Sequence, residues 1–134
     1  MATALRVGTD LVAIRDIAAS IREFGDRYVT RIFTEAEVAS CLANPTVPLA
    51  ARLAARFAAK EAVVKSLRPP EPWMAWRDIE IRRHPGGWCD VALSGQAAAL
   101  ARESGLSEFA VSMSHDVEYA TAVVVAQGAA DGNQ

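Results

Sequence analysis

The stretch PLAARLAARFAAKEAVVKSL, residues 48–67, decides the fold. Ala, Leu, Lys and Glu are good helix formers, and neither Gly nor Pro interrupts the run after Pro48. Pro48 suits the entry to a helix, and Pro69-Pro70-Glu71-Pro72 stops it, so a long helix is predicted from Leu49 to Leu67. From Arg56 onward it is small and apolar apart from four ionisable groups, Arg56, Lys60, Glu61 and Lys65. At i,i+4 spacing Glu61 stands over Lys65 and Arg56 over Lys60, which presents one carboxylate among several cations. That pattern has two readings: a solvated face with ion pairs worth about 0.2 to 0.5 kcal/mol each, or a site for an anionic ligand.

Before this helix, Leu5 to Asp10 reads as a short strand, and Ile14, Ile17, Ala18 and Ile21 recur at helical spacing until Gly25. Thr34 with Glu37 fits a capping box that opens a short helix ending before Asn44-Pro45. After it, Ile79 and Ile81 alternate as a strand from Asp78, and His84-Pro85-Gly86-Gly87 turns the chain into a second strand, Trp88 to Leu93. Ser94 is placed to cap a helix whose body, Ala97 to Arg102, finishes at Gly105. Strands at Phe109 to Ser114 and Tyr119 to Ala126 complete an α+β pattern, a long helix on a small, mostly antiparallel sheet. Residues 1–126 read as a single domain and 127–134, small and polar, as a disordered tail.

Fourteen basic and sixteen acidic side chains give a formal charge of −2, so no overall basic field points to nucleic acid or to an anionic membrane. The distribution is uneven. Between Arg52 and Arg83 eight basic residues face four acids, a local surplus that suits a phosphate-rich small ligand. Cys41 and Cys89 form no C-x-x-C pair and have no histidine at ligand spacing, which leaves two buried thiols as the expectation and no zinc site. Arg6 and Asp10 break the apolar start, and no run approaches the ~20 apolar residues of a membrane span. A cytoplasmic protein is expected.

Asp10 ends an apolar strand, where a carboxylate either caps the following helix or serves as a hard oxygen ligand. Mg²⁺ takes one or two carboxylates together with waters and substrate phosphates, and Asp10 with Glu61 supplies such a pair. Lys65, one turn beyond Glu61, suits phosphate near that ion, and Arg56 and Lys60 suit other anionic parts of the same ligand. His115 reads either as a satisfied structural histidine or as a functional one. The absence of G-x-S-x-G argues against a Ser-His-Asp hydrolase. Arg15, Arg22, Arg27 and Arg31, with acids between them, form either a mixed solvated surface or a docking face for an acidic partner.

Gly8-Thr9-Asp10-Leu11-Val12, the segment Arg56 to Leu67, and Ser112-Met113-Ser114-His115-Asp116, taken in that order, resemble the holo-acyl-carrier-protein synthase family of 4'-phosphopantetheinyl transferases. Arg31-Ile32-Phe33-Thr34, Asp78-Ile79-Glu80-Ile81 and Tyr119 to Val124 extend the resemblance over residues 5–126. It implies a Mg²⁺-dependent enzyme that moves 4'-phosphopantetheine from coenzyme A to a serine of an apo carrier protein and releases adenosine 3',5'-bisphosphate. Asp10 and Glu61 are implied as metal ligands, and Asp10, Glu61 and Lys65 as catalytic, with Glu61 favoured over Asp10 or a metal-bound water to take the serine proton. Arg56, Lys60, Lys65, His115 and Ser114 are expected at the coenzyme A phosphates, and Arg15 and Arg22 at the carrier protein. A homotrimer with sites between subunits is implied as well. Two features depart from the family pattern: Gly86-Gly87-Trp88-Cys89 replaces the usual Gly-x-Pro beside the adenine, so Gly86 and Gly87 are weak nucleotide candidates, and Trp73 and Trp76 follow the prolines. The rival reading is a non-catalytic module that binds coenzyme A or a carrier protein on the same scaffold.

Overall fold

The computed structural model describes residues 4–128. The quoted stretch forms one helix, α4, over Leu49–Leu67, entered from Pro48 and closed at Arg68 in the left-handed conformation. Most of its residues are buried, because it lies across the sheet and packs chiefly on β1 (Leu5–Ala13) and β5 (Tyr119–Gln127). With β2 (Ile79–Arg83), β3 (Cys89–Leu93) and β4 (Glu108–His115), these make an antiparallel sheet in the order β1-β5-β4-β3-β2. The α+β expectation holds.

Alternation sorts the sheet into two faces. Ala120, Ala122, Val124 and Ala126 point under α4, while Thr121, Val123 and Val125 point away from it. On β1, Gly8 and Val12 face the helix and Leu5, Val7 and Leu11 do not. The outer face is therefore apolar and uncovered in the protomer.

The small residues of β1 and α4 set how close the two elements come. A Cβ on Gly8 would sit 1.9 Å from the Ala62 carbonyl oxygen, a backbone atom that cannot swing aside. Gly8→Ala is therefore expected to lower stability by about 3 kcal/mol, at the upper end of overpacking costs, read as a drop in the urea midpoint at unchanged m-value. An unchanged midpoint would show that α4 shifts freely over β1.

The remaining elements surround this pair. α1 (Ile14–Phe24) and α2 (Asp26–Ile32) precede α3 (Glu35–Leu42), a 3-10 turn covers Trp76–Asp78, and α5 (Gly95–Glu103) joins β3 to β4. Four sequence expectations are revised here. β1 continues past Asp10 to Ala13, and α2 was not foreseen. Ser94 donates no side-chain cap; Asp78 Oδ2 instead accepts from the Gln96 N–H at 2.8 Å. Gln127, placed in the tail by the sequence, still pairs with Leu5 and Glu108, and residues 129–134 lie outside the described residues.

Trp73 and Trp76 pack against the core, the latter with its ring centroid 5.3 Å from that of Phe57. Cys41 is buried and Cys89 partly so, both as free thiols.

Candidate functional site

Asp10 sits on β1 opposite Ala122, and its carbonyl accepts from Thr121 Oγ1 at 2.8 Å. It caps no helix: the residue before α1 is Ala13, without a side-chain cap. The close approach at Gly8 brings α4 over this strand, so Lys65 Nζ reaches Asp10 Oδ1 at 3.1 Å and the Thr9 carbonyl at 2.9 Å. Glu61, one turn before Lys65, is half-buried. Burial and then the negative charge of Asp10 push its carboxyl above the usual range, with Lys65 opposing. The pairing of Asp10, Glu61 and Lys65 expected from sequence is thus present in one protomer. Two carboxylates close enough to repel, relieved by a single ammonium, form a hard-oxygen donor set that suits a divalent cation.

A second cluster occupies the other half of α4. Arg52 and Arg56, one turn apart, line a cavity of about 220 Å³ with Arg83, Gly87, Cys89, Met113, Ser114 and His115. β2 and β3 contribute through their turn, where the Gly87 N–H donates to the His84 carbonyl at 2.7 Å and Gly87 holds φ +88°, a value that favours glycine. β4 contributes Ser114 and His115, which also border a cavity with Leu11, Tyr119 and Thr121. Arg56 Nη2 donates to Ser40 Oγ at 3.0 Å. Arg56, His115, Ser114 and Gly87 come together as expected, while Gly86 lies outside the cavity lining. Beside the turn, His84 stacks on Trp88 at 4.0 Å between centroids and 13° between planes, and its Nε2 lies 2.9 Å from Asp90 Oδ2.

Lys60 does not join either cluster, and its assignment to phosphate is corrected. Its side chain is 0% exposed, and Nζ bonds Glu37 Oε1 at 2.8 Å, the Trp76 carbonyl at 3.0 Å and the Ile79 carbonyl, with the Phe33 ring centroid 5.7 Å away. Those acceptors saturate the ammonium. Glu37 is equally hidden and accepts as well from the backbone N–H groups of Thr34 and Ile81, each at 2.9 Å. The capping box read from sequence is present, and its acid carries this further load.

Sequence reasoning did not single out Arg52 and Arg83, which entered only in the basic count. The usable signal was the i,i+4 spacing of Arg52 to Arg56. Arg15 and Arg22 are exposed on α1, Arg15 with its guanidinium 5.9 Å from the Tyr119 ring centroid. Among the described residues no helix is long and apolar enough to cross a membrane.

Comparison with known proteins places this architecture. The holo-[acyl-carrier-protein] synthase of Dehalococcoides mccartyi is 46% identical over 92% of this chain and 98% of its own. The Chronobacterium ammoniagenes ACPS-CoA complex superposes with a TM-score of 0.81 at 32% identity, covering 93% of this chain and 98% of the other. The Helicobacter pylori holo-[acyl-carrier-protein] synthase in complex with coenzyme A gives 0.76 at 26%, covering 90% and 98%. The family model described as the 4'-phosphopantetheinyl transferase superfamily matches residues 6–124, and the chain belongs to that superfamily.

Proposed function

We propose that the chain is a magnesium-dependent holo-acyl-carrier-protein synthase that transfers 4'-phosphopantetheine from coenzyme A to a serine of an apo carrier protein. The observation that carries the reading is the convergence of Asp10 and Glu61, from a strand and a helix distant in sequence, beside Lys65. Asp10 and Glu61 would hold Mg²⁺, which when bound neutralises charge on phosphate oxygens. Lys65 orients Asp10 and adds a positive charge at the same place. The serine oxygen forms a bond to the phosphorus that bears pantetheine, the bond from that phosphorus to the bridging oxygen breaks, and adenosine 3',5'-bisphosphate leaves with the bond electrons. Glu61 takes the serine proton directly or through one water. Arg56, His115 and Ser114 hold the coenzyme A phosphates, and preorganised positive charge of this kind supplies most of the acceleration in phosphoryl transfer.

The uncovered apolar face of β1 and β5, with Leu5, Val7 and Leu11 each more than 60% exposed, supports a homotrimer. In that assembly the β2-β3 hairpin of one protomer stands beside Asp10 and Glu61 of its neighbour. The exposed arginines of α1, Arg15 and Arg22, receive the acidic carrier. We place the enzyme in the cytoplasm, as a single-domain protein.

The test is mass spectrometry of apo carriers of the fatty-acid, polyketide and peptide-synthetase types, each incubated with the protein, coenzyme A and Mg²⁺. One added phosphopantetheine, lost when a chelator removes the metal, is the expected result. No gain on any carrier would favour the non-catalytic module.

A further inference from the structure

Cys89 opens β3, in the Gly86-Gly87-Trp88-Cys89 segment where this chain departs from the pattern of its family, and the proposed transfer makes no use of its thiol. The chain has one other cysteine, and the two differ in access. Cys41 is 2% exposed and belongs to the core, whereas Cys89 is half-buried and lines the cavity of about 220 Å³ with Arg52, Arg56 and Arg83.

Burying a guanidinium is costly unless an acid or a full set of acceptors meets it. Arg52 and Arg56 are 9% and 3% exposed, yet no carboxylate lies within 4 Å of either among the described residues, and the Nε atoms of both lack a hydrogen-bond partner. Arg52 makes no hydrogen bond or ion pair at all among those residues. Arg83 joins them from the hairpin, with Nη2 3.5 Å from where a Cβ on Gly87 would be. The acid next to the thiol, Asp90, has its Oδ2 2.9 Å from His84 Nε2. The wall around Cys89 is therefore cationic and under-neutralised. Burial raises the pKa of the Cys89 thiol, Arg56 and Arg83 pull it back down, and Asp90 adds to the rise. Little of the thiol ionises at neutral pH, so a reagent that gains nothing from the arginines reacts slowly.

A disulfide that carries carboxylates does gain from them. In thiol–disulfide exchange the Cys89 sulfur, having given its proton to water, attacks one sulfur of the reagent; the new S–S bond forms as the old one breaks, and the other half leaves as a thiolate that takes up a proton. The guanidinium groups stabilise the negative charge shared by the sulfurs, and their forks also receive the carboxylate of the incoming half. The cavity has about the volume of seven liquid waters, room for a short thiol acid and not for a nucleotide.

We propose that Cys89 is a modification site for small carboxylate-bearing disulfides, which enter on Arg52, Arg56 and Arg83 and leave a mixed disulfide that fills the cavity and excludes coenzyme A. The exclusion rests on coenzyme A being the substrate, and the reaction at sulfur does not.

Peptide mapping by mass spectrometry tests it, following adduct formation on the full chain at low ionic strength with 3,3'-dithiodipropionate, an anionic reagent, and with cystamine, a cationic one of similar length. Each rate is divided by that of the same reagent with 2-mercaptoethanol. Cys89 is expected to favour the anionic reagent by at least ~10-fold, a size typical of steering by a charged cleft, and Cys41 to stay unmodified. Arg52→Gln is expected to cut that preference at least ~3-fold. Arg83 is exposed, so should the Arg52 variant fail to fold, by circular dichroism, Arg83→Gln decides in the same sense. By titration calorimetry the adduct should bind coenzyme A at least ~10-fold more weakly than the free thiol form, with recovery in dithiothreitol, while Cys89→Ser treated in the same way keeps its own affinity. Equal normalised rates for the two reagents, a preference untouched by the arginine variants, or an adduct that binds coenzyme A as well as the free form would each overturn the proposal. An anionic preference at Cys89 in a chain that binds no coenzyme A would leave the thiol site standing while the transferase reading falls.

Discussion

Glu61→Gln is expected to reduce carrier modification by at least about 10³-fold while leaving the fold intact. A metal-bound phosphoryl site draws several kcal/mol from charge neutralisation, and each 1.36 kcal/mol is about tenfold in rate. Glutamine keeps the shape but loses both the ligand charge and the proton acceptor. The same substitution carries a stability signature that separates this role from a structural one. In the folded chain the Glu61 carboxyl is raised by burial and by Asp10, so its ionised form is disfavoured relative to the unfolded chain. The corresponding stability is fully present below the ordinary carboxylate range and is lost as pH rises through the raised value. In metal-free buffer at neutral pH the variant should therefore melt at or above the wild-type Tm, and the difference should vanish as pH falls towards 4. Added Mg²⁺ should stabilise the wild type and not the variant. Wild-type turnover, or a metal-free Tm several degrees lower, would remove Glu61 from this mechanism.

How much of this was legible in sequence depended on the range of the forces involved. α4 was found at Leu49–Leu67 because its signals are local: helix formers throughout, proline at entry and proline after the stop. The strand β2 was found by the alternation of Ile79 and Ile81, and β4 and β5 were placed with ends off by no more than a residue. α2 was missed because seven residues give barely two turns of period, and the burial of its last residue, Ile32, is a tertiary effect. The joining of Asp10 to Glu61 cannot be derived from spacing; it depends on a strand glycine letting a helix carbonyl approach, and it was reached from the ligand preference of Mg²⁺ together with the resemblance to a known family. Arg52 was overlooked for the opposite reason. An arginine in a basic helix reads as solvated, and its burial without an acid shows only when the hairpin closes over it.

Lys60 carries the other large effect, and there the two accounts of the residue diverge in measurable ways. Local spacing put it on a charged helix face with Arg56, which would make it a ligand for phosphate. In the structure burial drives its pKa down while the charge and hydrogen bond of Glu37 pull it back up, and it ties α4 to α3 and to the Trp76 and Ile79 carbonyls. Breaking a buried pair by removing one partner typically costs 3–5 kcal/mol, so Lys60→Met should lose about that much and melt roughly 10 to 15 °C lower. Glu37→Gln should be nearly as damaging, since it strands the ammonium, although the amide oxygen still serves one backbone N–H. Joined as Glu37→Gln with Lys60→Met, the two should cost less than the sum by about 1–3 kcal/mol, because the second change no longer orphans a charge. A phosphate ligand predicts the reverse: near wild-type melting for Lys60→Met, additive effects with Glu37→Gln, and an increased KM for coenzyme A. Since Lys60 directly precedes Glu61, the surviving fraction of Lys60→Met should also bind Mg²⁺ more weakly, through a helix face that is no longer held in place.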